Sequence, residues 1–174
     1  MAANVERCCT EFRCPSDLEV EGLCGSVVLA GSRCGDTGWV SHVIRAVEDL
    51  PVGIACGASQ GVGPEPSVES WNDPVSKHTL WQREAMSVAD VIGVYLGVGS
   101  TEEWCMMELG RASYLFAKKL VVCCGEDVSG RSALEMLAKT DGFSLVATVE
   151  EMAAEVRERL VEVGSYLAPG CVVS

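Results

Sequence analysis

The chain has 174 residues, enough for one domain with a proper core, and its 48% hydrophobic and 22% charged composition is typical of a globular protein. Thirteen basic and twenty-five acidic residues give a net charge of −12, which argues against nucleic acid as a partner because phosphate binding depends on Lys and Arg. No apolar run approaches the ~20 residues that a bilayer requires, and neither a CxxC pair nor an HExxH motif supports zinc. We therefore expect a cytoplasmic protein with no metal and no cofactor, whose ten cysteines are mostly reduced and packed in the core.

The first half of the chain contains an extension, two strands and a long loop. Residues 1–24 are polar and aperiodic, and we expect a flexible extension there. The domain predicted over residues 25–168 begins with a β-branched strand from Ser26 to Ala30, followed by a turn and a helix with apolar positions at helical spacing. Val52 to Cys56 is predicted to be a second strand. The loop after it, Gly57 to Lys77, has about twenty residues, and loops of that length in a compact domain tend to be functional.

Helices and strands alternate through the second half. The predicted elements are a helix from Thr79 to Val88, a strand from Asp90 to Leu96, a helix from Thr101 to Phe116, a strand from Lys119 to Cys124, a helix from Ala133 to Lys139, a strand from Phe143 to Thr148 and a final helix from Val149 to Leu167. Five apolar strands alternating with helices predict an α/β fold with a five-stranded parallel sheet covered on both faces. Ligands of such folds bind outside the carboxyl ends of the strands, near the topological switch point. The turns after Ala30, Cys56 and Leu96 are therefore predicted at the binding edge, whereas Asp90, at the start of a strand, is predicted to be structural.

Glu108 is the residue that helical spacing singles out. At about 100° per residue it falls within the apolar arc of the predicted helix, among Trp104, Cys105, Leu109, Ala112, Leu115 and Phe116. A carboxylate on a buried face is costly unless it is paired or its pKa rises. Spacing leaves two interpretations open: a buried ion pair or a carboxylate tilted to the rim, and a nucleophile or general acid/base at the binding edge.

Four motifs occur in a fixed order along the chain: Val28-Leu-Ala-Gly31, Trp39, Trp81 nine residues ahead of Asp90, and Met107-Glu-Leu-Gly-Arg-Ala112. With this order and spacing, residues 26–148 resemble the nucleoside 2-deoxyribosyltransferase-like family and the related deoxynucleotide N-glycosidases. The resemblance implies a flavodoxin-like (Rossmann-like) three-layer sandwich, usually oligomeric, that acts at the N-glycosidic bond of a (2-deoxy)nucleoside. The family's nucleophile corresponds to Glu108. It attacks C1′ of the sugar, and the glycosyl-enzyme then passes its sugar to another base or to water.

The resemblance also assigns binding roles around this nucleophile. Asp73 stands where relatives present a base-binding acid, so it is predicted to assist the leaving base, although Asn-Asp-Pro is also a turn signal. Trp71 is predicted to stack on the base. Backbone N–H groups after the first strand are predicted to hold sugar hydroxyls or a phosphate, and Ser100 to cap the helix and contact the sugar. The predicted substrate-binding residues are Gly31, Ser32, Arg33, Trp71 and Ser100.

The sequence departs from the family's pattern near the site. Glu102 and Glu103 add acidic charge where relatives have smaller residues, which favours a nucleoside over a monophosphate. Gln82 stands where many relatives have Glu, and His78 where they have Gln, so the substrate preference stays open. Two alternatives to catalysis on nucleosides also stay open: a non-catalytic nucleotide-binding or sensing domain, and a hydrolase of nucleotides or NAD-like dinucleotides.

The tail, residues 169–174, ends in Cys171-Val-Val-Ser174, which has the C-a-a-X form of a farnesylation site. Lipid-mediated membrane contact through Cys171 is therefore an expectation, although no polybasic stretch precedes it and one lipid chain alone binds weakly. The partners that we expect are a small-molecule nucleoside or nucleotide and further copies of the same chain.

Overall fold

The structure is a computed structural model that describes residues 9–13, 18, 23–31, 38–56, 74–97 and 103–167. These residues form a six-stranded parallel sheet with helices on both faces. The strands are β1 (Thr10–Arg13), β2 (Ser26–Gly31), β3 (Gly53–Cys56), β4 (Val91–Leu96), β5 (Leu120–Cys124) and β6 (Ser144–Val146). The helices are α1 (Gly38–Val47), α2 (Pro74–Val88), α3 (Glu103–Phe116), α4 (Arg131–Asp141) and α5 (Val149–Leu167), and a 3₁₀ turn, Ala117–Lys119, follows α3.

The strand order is β1-β3-β2-β4-β5-β6, and every neighbouring pair is parallel. Without β1 this is the 2-1-3-4-5 order of flavodoxin-like folds. From β2 the chain first adds β3 on one side of β2 in the sheet, and it then adds β4, β5 and β6 on the other side. Right-handed connections therefore place α1 on one face of the sheet and α2, α3 and α4 on the other. Helix α5 packs beside α1 and completes the third layer, so the predicted α/β three-layer fold is confirmed.

Two differences from the sequence-based expectation exceed two residues. The flexible extension predicted over residues 1–24 is wrong for Thr10–Arg13, which form a sixth strand along β3, from the pair Thr10 and Gly53 to the pair Arg13 and Cys56. Four residues with one buried aromatic, Phe12, are too few for an alternation signal, and the partner strand lies 40 residues further on. Helix α2 begins at Pro74, inside the predicted loop, because proline is well suited to the first position of a helix.

The two faces of the sheet bury separate hydrophobic clusters. Side chains of alternate strand residues point to opposite faces, and those of the central strands are buried on both, as a covered parallel sheet requires. The cluster under α1 and α5 includes Leu29, Trp39, Val43, Met152, Val156 and Leu160, and the cluster under α2, α3 and α4 includes Val28, Ile92, Trp81, Leu109, Ala112 and Leu134. Full burial of one such aliphatic side chain contributes about 1.5–3 kcal/mol, so both clusters hold the strand ends firmly in place.

Polar bonds fix the amino edge of the sheet. The Asp90 carboxylate accepts hydrogen bonds from the backbone N–H and the hydroxyl of Ser26, both 2.9 Å long, and the Ser26 hydroxyl accepts one of 3.2 Å from the Asp90 backbone N–H. Lys119 Nζ donates to the Ala89 carbonyl over 2.7 Å. The predicted structural role of Asp90 is confirmed: it joins the starts of β2 and β4, whose other ends flank the switch point.

Candidate functional site

The topological switch point lies between β2 and β4, since the chain leaves β2 for β3 on one side and later returns to β4 on the other. The carboxyl ends of these two strands meet where Gly31 pairs with Tyr95. Helix α3 begins six residues after Gly97, at the same edge. The ends of β2 and β4 thus occupy the edge at which ligands of flavodoxin-like folds bind, as the sequence predicted.

Gly31 cannot be replaced by another residue without disturbing this edge. Its φ of +140° is a conformation that L side chains rarely adopt. A Cβ at this position would lie 2.2 Å from the carbonyl oxygen and 2.7 Å from the nitrogen of Tyr95. The glycine therefore lets β2 and β4 approach each other at their ends, and it places its own backbone at the switch point, in the position predicted for a ligand-binding group.

Helix α3 carries Glu108 in its second turn. The side chain of Glu108 lies outside the described part of the structure, but the positions that follow it fix the helix on the sheet: Leu109 and Ala112 are buried. Ser113 is also buried, and its hydroxyl donates to the Gly110 carbonyl over 3.0 Å. The predicted apolar arc is confirmed at Leu109 and Ala112 and wrong at Leu115, which is half-exposed. The helix thus rests on the sheet through a narrower stripe than its spacing suggested.

Most of the other predicted site residues lie outside the described residues. These are Ser32, Arg33, Trp71, Asp73, Ser100 and Cys171. The structure brings together Gly31 and the helix that carries Glu108, at one edge of the sheet, and gives no position for the remaining six. The sequence places Asp73 directly before Pro74, the first residue of α2.

An aromatic pair at this edge was not predicted as part of the site. Tyr95, the last residue but one of β4, stacks on Trp39 of α1 with ring centroids 5.2 Å apart and planes 22° apart. Trp39 is fully buried, at 2% exposure, whereas Tyr95 is half-buried. Sequence reasoning treated Tyr95 as a strand residue only. One feature of the sequence could have drawn attention to Tyr95: it is an aromatic residue with a polar hydroxyl near the end of a strand whose other residues are aliphatic or glycine.

Gln82 of α2 is a buried residue to which the sequence assigned no structural role. It is 9% exposed and lies beside Trp81, on the helix face that packs against the sheet. The sequence offered one signal, the amide in place of an expected acid.

The cysteines at the end of β5 are structural. Cys123 and Cys124 are both fully buried, so the prediction that they fill the core is confirmed. Burial raises the pKa of the Cys123 thiol to about 11, and burial also raises the pKa of the Cys124 thiol. Arg131, which donates to the Cys124 carbonyl, opposes both shifts without reversing them. Both thiols therefore stay protonated at neutral pH and make poor nucleophiles.

Among the described residues, no group of three or more His, Cys, Asp or Glu side chains is arranged to hold a metal ion. No helix within the described ranges is long and apolar enough to span a membrane.

Comparison with known proteins supports the fold. No protein-family model matches the chain, and no curated protein matches it. Among solved structures, the chain is similar to a conserved protein from Enterococcus faecalis V583, with a TM-score of 0.51 and 12% sequence identity over 78% of this chain and 98% of that one. At this level of identity the likeness defines a shared flavodoxin-like α/β fold.

Proposed function

We propose that this protein cleaves or transfers at the N-glycosidic bond of a (2-deoxy)nucleoside, with Glu108 as the nucleophile. The observation that carries the proposal is the placement of the Glu108 helix: α3 follows β4 at the switch point and shares that edge with Gly31. A carboxylate in the second turn of such a helix is close to the edge at which ligands of this fold bind.

The reaction needs one carboxylate nucleophile and one proton donor. The Glu108 carboxylate attacks C1′, the C1′–N bond breaks, and its electron pair leaves with the base, which Asp73 protonates or hydrogen-bonds. The transition state has oxocarbenium character, which a nearby anion stabilises. Water or a second base then attacks C1′ from the opposite face and releases Glu108, which gives hydrolysis or base exchange respectively.

Charge favours an uncharged nucleoside as the substrate. The chain carries −12 overall, and Glu102 and Glu103 precede Glu108 on the same segment. Glu126 and Asp127, both exposed, follow β5 at the same edge of the sheet. Acidic groups in this number repel a phosphate and stabilise a cationic sugar, so we propose nucleosides ahead of nucleotides.

Chromatography of reaction mixtures tests the proposal. The protein is incubated with deoxynucleosides, nucleosides, nucleotides and NAD, each with and without an acceptor base. We expect release or exchange of base from a 2′-deoxynucleoside, and a loss of at least about 10³-fold in turnover for Glu108→Gln and Glu108→Ala. Glu158→Gln, on the exposed side of α5, is the matched control and keeps full activity.

Each alternative has its own outcome in this panel. Wild-type turnover in Glu108→Ala would refute the role of that residue. Tight nucleotide binding with no product identifies a sensing domain, and cleavage of NAD alone identifies a dinucleotide hydrolase. Both results overturn the proposal.

We also propose that the chain acts as a homo-oligomer. Large apolar side chains are exposed on the layer of α2, α3 and α4, and exposed apolar patches mark association surfaces. They are Leu80, Val88, Tyr114, Leu115, Met136 and Leu137. Light scattering after size-exclusion chromatography tests this: we expect a mass above that of one chain for the wild type. An unchanged monomeric mass at high protein concentration contradicts it.

A further inference from the structure

Helix α3 exposes an aromatic side chain close to an uncovered glycine. Tyr114 is 86% exposed, whereas the opposite side of α3 rests on the sheet through Leu109 and Ala112. Gly110 lies one turn before Tyr114 on the same side of the helix, because residues four apart are neighbours on a helix surface. A Cβ added at Gly110 would meet no other atom within 4 Å. The outer surface of α3 therefore carries a protruding ring and, about 6 Å away, bare main chain with open space above it.

Neighbouring side chains extend this surface with further apolar groups. Leu115 follows Tyr114 on α3 and is half-exposed. Helix α4 is the next helix on the same face of the sheet, and it exposes Met136 by 67% and Leu137 by 41%. Tyrosine and methionine are enriched in protein interfaces, and truncation of a buried tyrosine is among the most costly interface substitutions. The composition of this surface is thus that of an interface.

Charge distinguishes this surface from the opposite face of the molecule. Arg111 is the one charged group among the described side chains of α3, residues 109–116. Helix α5, by contrast, carries five glutamates and two arginines, and both arginines, Arg157 and Arg159, already pair with acids of the same chain. Two copies of a chain with a net charge of −12 repel each other least where the surface is least acidic. A second copy is therefore better accommodated on α3 than on α5.

We propose that α3 packs against α3 of a second copy about a two-fold axis, with Tyr114 of each copy on Gly110 of the partner subunit. A two-fold interface makes every contact twice, so it requires a projection and its complement on one surface. An axis midway between positions 110 and 114 of two antiparallel helices places the ring of each copy opposite the glycine of the other. Glycine allows the close approach that such a contact needs. This inference rests on the homo-oligomer of the proposed function, and it assigns the surface and the symmetry.

Sedimentation velocity over a dilution series of the full chain tests the interface. We expect a wild-type dimer. In Tyr114→Ala the dissociation constant of the dimer should rise at least about thirtyfold, because an interface tyrosine is lost twice in each dimer. Gly110→Gln should raise the same constant, because its side chain occupies the space that the ring of the partner subunit would fill. Glutamine is used rather than alanine, since a single methyl group can pack against an aromatic ring.

Two controls separate a lost interface from a lost fold. Glutamine is a better helix former than glycine, so the melting temperature of the diluted Gly110→Gln protein should not fall below that of the diluted wild type. Val161→Ala truncates an apolar side chain that is 45% exposed on α5, on the opposite face, and should leave the dissociation constant unchanged.

The outcomes distinguish this inference from the proposed function. An oligomer whose dissociation constant is unchanged in Tyr114→Ala or in Gly110→Gln overturns the pairing of these two residues and leaves the homo-oligomer standing. A wild-type protein that stays monomeric at high concentration overturns both. A dimer that both substitutions weaken, in a protein that releases no base from any nucleoside, supports the interface and overturns the proposed reaction.

Discussion

Gly31→Ala is the sharpest test of how β2 and β4 meet at the switch point. The new Cβ would lie 2.2 Å from the Tyr95 carbonyl oxygen and 2.9 Å from its carbonyl carbon, both atoms of a paired strand. An ordinary carbon–oxygen contact is about 1 Å longer, and neighbouring strands are only about 4.8 Å apart. Main-chain atoms in a ladder cannot rotate away as a side chain can, so the substitution forces the strand ends apart.

Two costs follow from this geometry. A non-glycine residue at a φ of +140° adds about 1–3 kcal/mol of backbone strain. Overpacking against β4 adds about 1–3 kcal/mol. Together we expect a loss of about 2–6 kcal/mol in the free energy of unfolding, or roughly 5–20 °C in melting temperature for a domain of this size.

Urea denaturation followed by circular dichroism measures the effect, with Gly110→Ala as the control. Gly110 lies on the exposed side of α3, and a Cβ there would have no neighbour within 4 Å. Alanine is the better helix former, so this control should gain about 0.5–1 kcal/mol. A Gly31→Ala protein within about 0.5 kcal/mol of the wild type would refute the close approach of the two strand ends.

Three further predictions concern groups away from Gly31. The Arg157 guanidinium, bonded to Asp49 over 2.5 and 2.7 Å, holds the pKa of that carboxyl below its ordinary value. Because the folded-state pKa is depressed, the ionised carboxylate stabilises the fold above the unfolded pKa of about 3.9. Asp49→Asn should therefore lower the free energy of unfolding by less than about 1 kcal/mol near neutral pH. The difference in urea midpoint between this variant and the wild type should vanish as the pH falls through the folded-state pKa. Cys123 and Cys124 should resist a thiol-specific reagent at pH 8 until the protein unfolds, and rapid native-state labelling on mass spectrometry would contradict their burial. Gln82→Leu should match or exceed the wild-type melting temperature, because it replaces a buried amide by an apolar side chain of similar size. A loss of about 2 kcal/mol or more in the free energy of unfolding, measured by urea denaturation, would mean that the amide is bonded within the fold.

The fold was predictable where a pattern is local. The strand from Ser26 and the helix ending at Leu167 depend on runs of β-branched residues and on one apolar stripe, and both were found as predicted. Strand β1 was not predictable, because four residues carry little periodicity and their pairing with β3 depends on a distant segment. Leu115 was misassigned because helical spacing gives the centre of a buried stripe more reliably than its width.

The candidate site was predictable only in part, for a related reason. Gly31 follows a strand, and the rule for parallel sheets locates the end of that strand. The position of the Tyr95 ring depends on Trp39 and Gly97, which the fold brings to it from α1 and from beyond the strand end. Contacts that arise between tertiary neighbours leave no regular spacing in the sequence.

The two edges of the sheet are built differently. At the amino edge, Asp90 and Ser26 bond to each other and fix the register of β2 and β4. At the carboxyl edge the same strands reach Gly31 and Gly97, two positions without side chains at which an added Cβ would meet atoms of Tyr95. Because hydrogen bonds at the amino edge fix the register of β2 and β4, the carboxyl ends of these strands do not need interlocking side chains. The two edges are separated by the length of six strand residues, about 15–20 Å. Asp90→Ala should nevertheless disturb the switch point, because it loosens the register of β2 and β4.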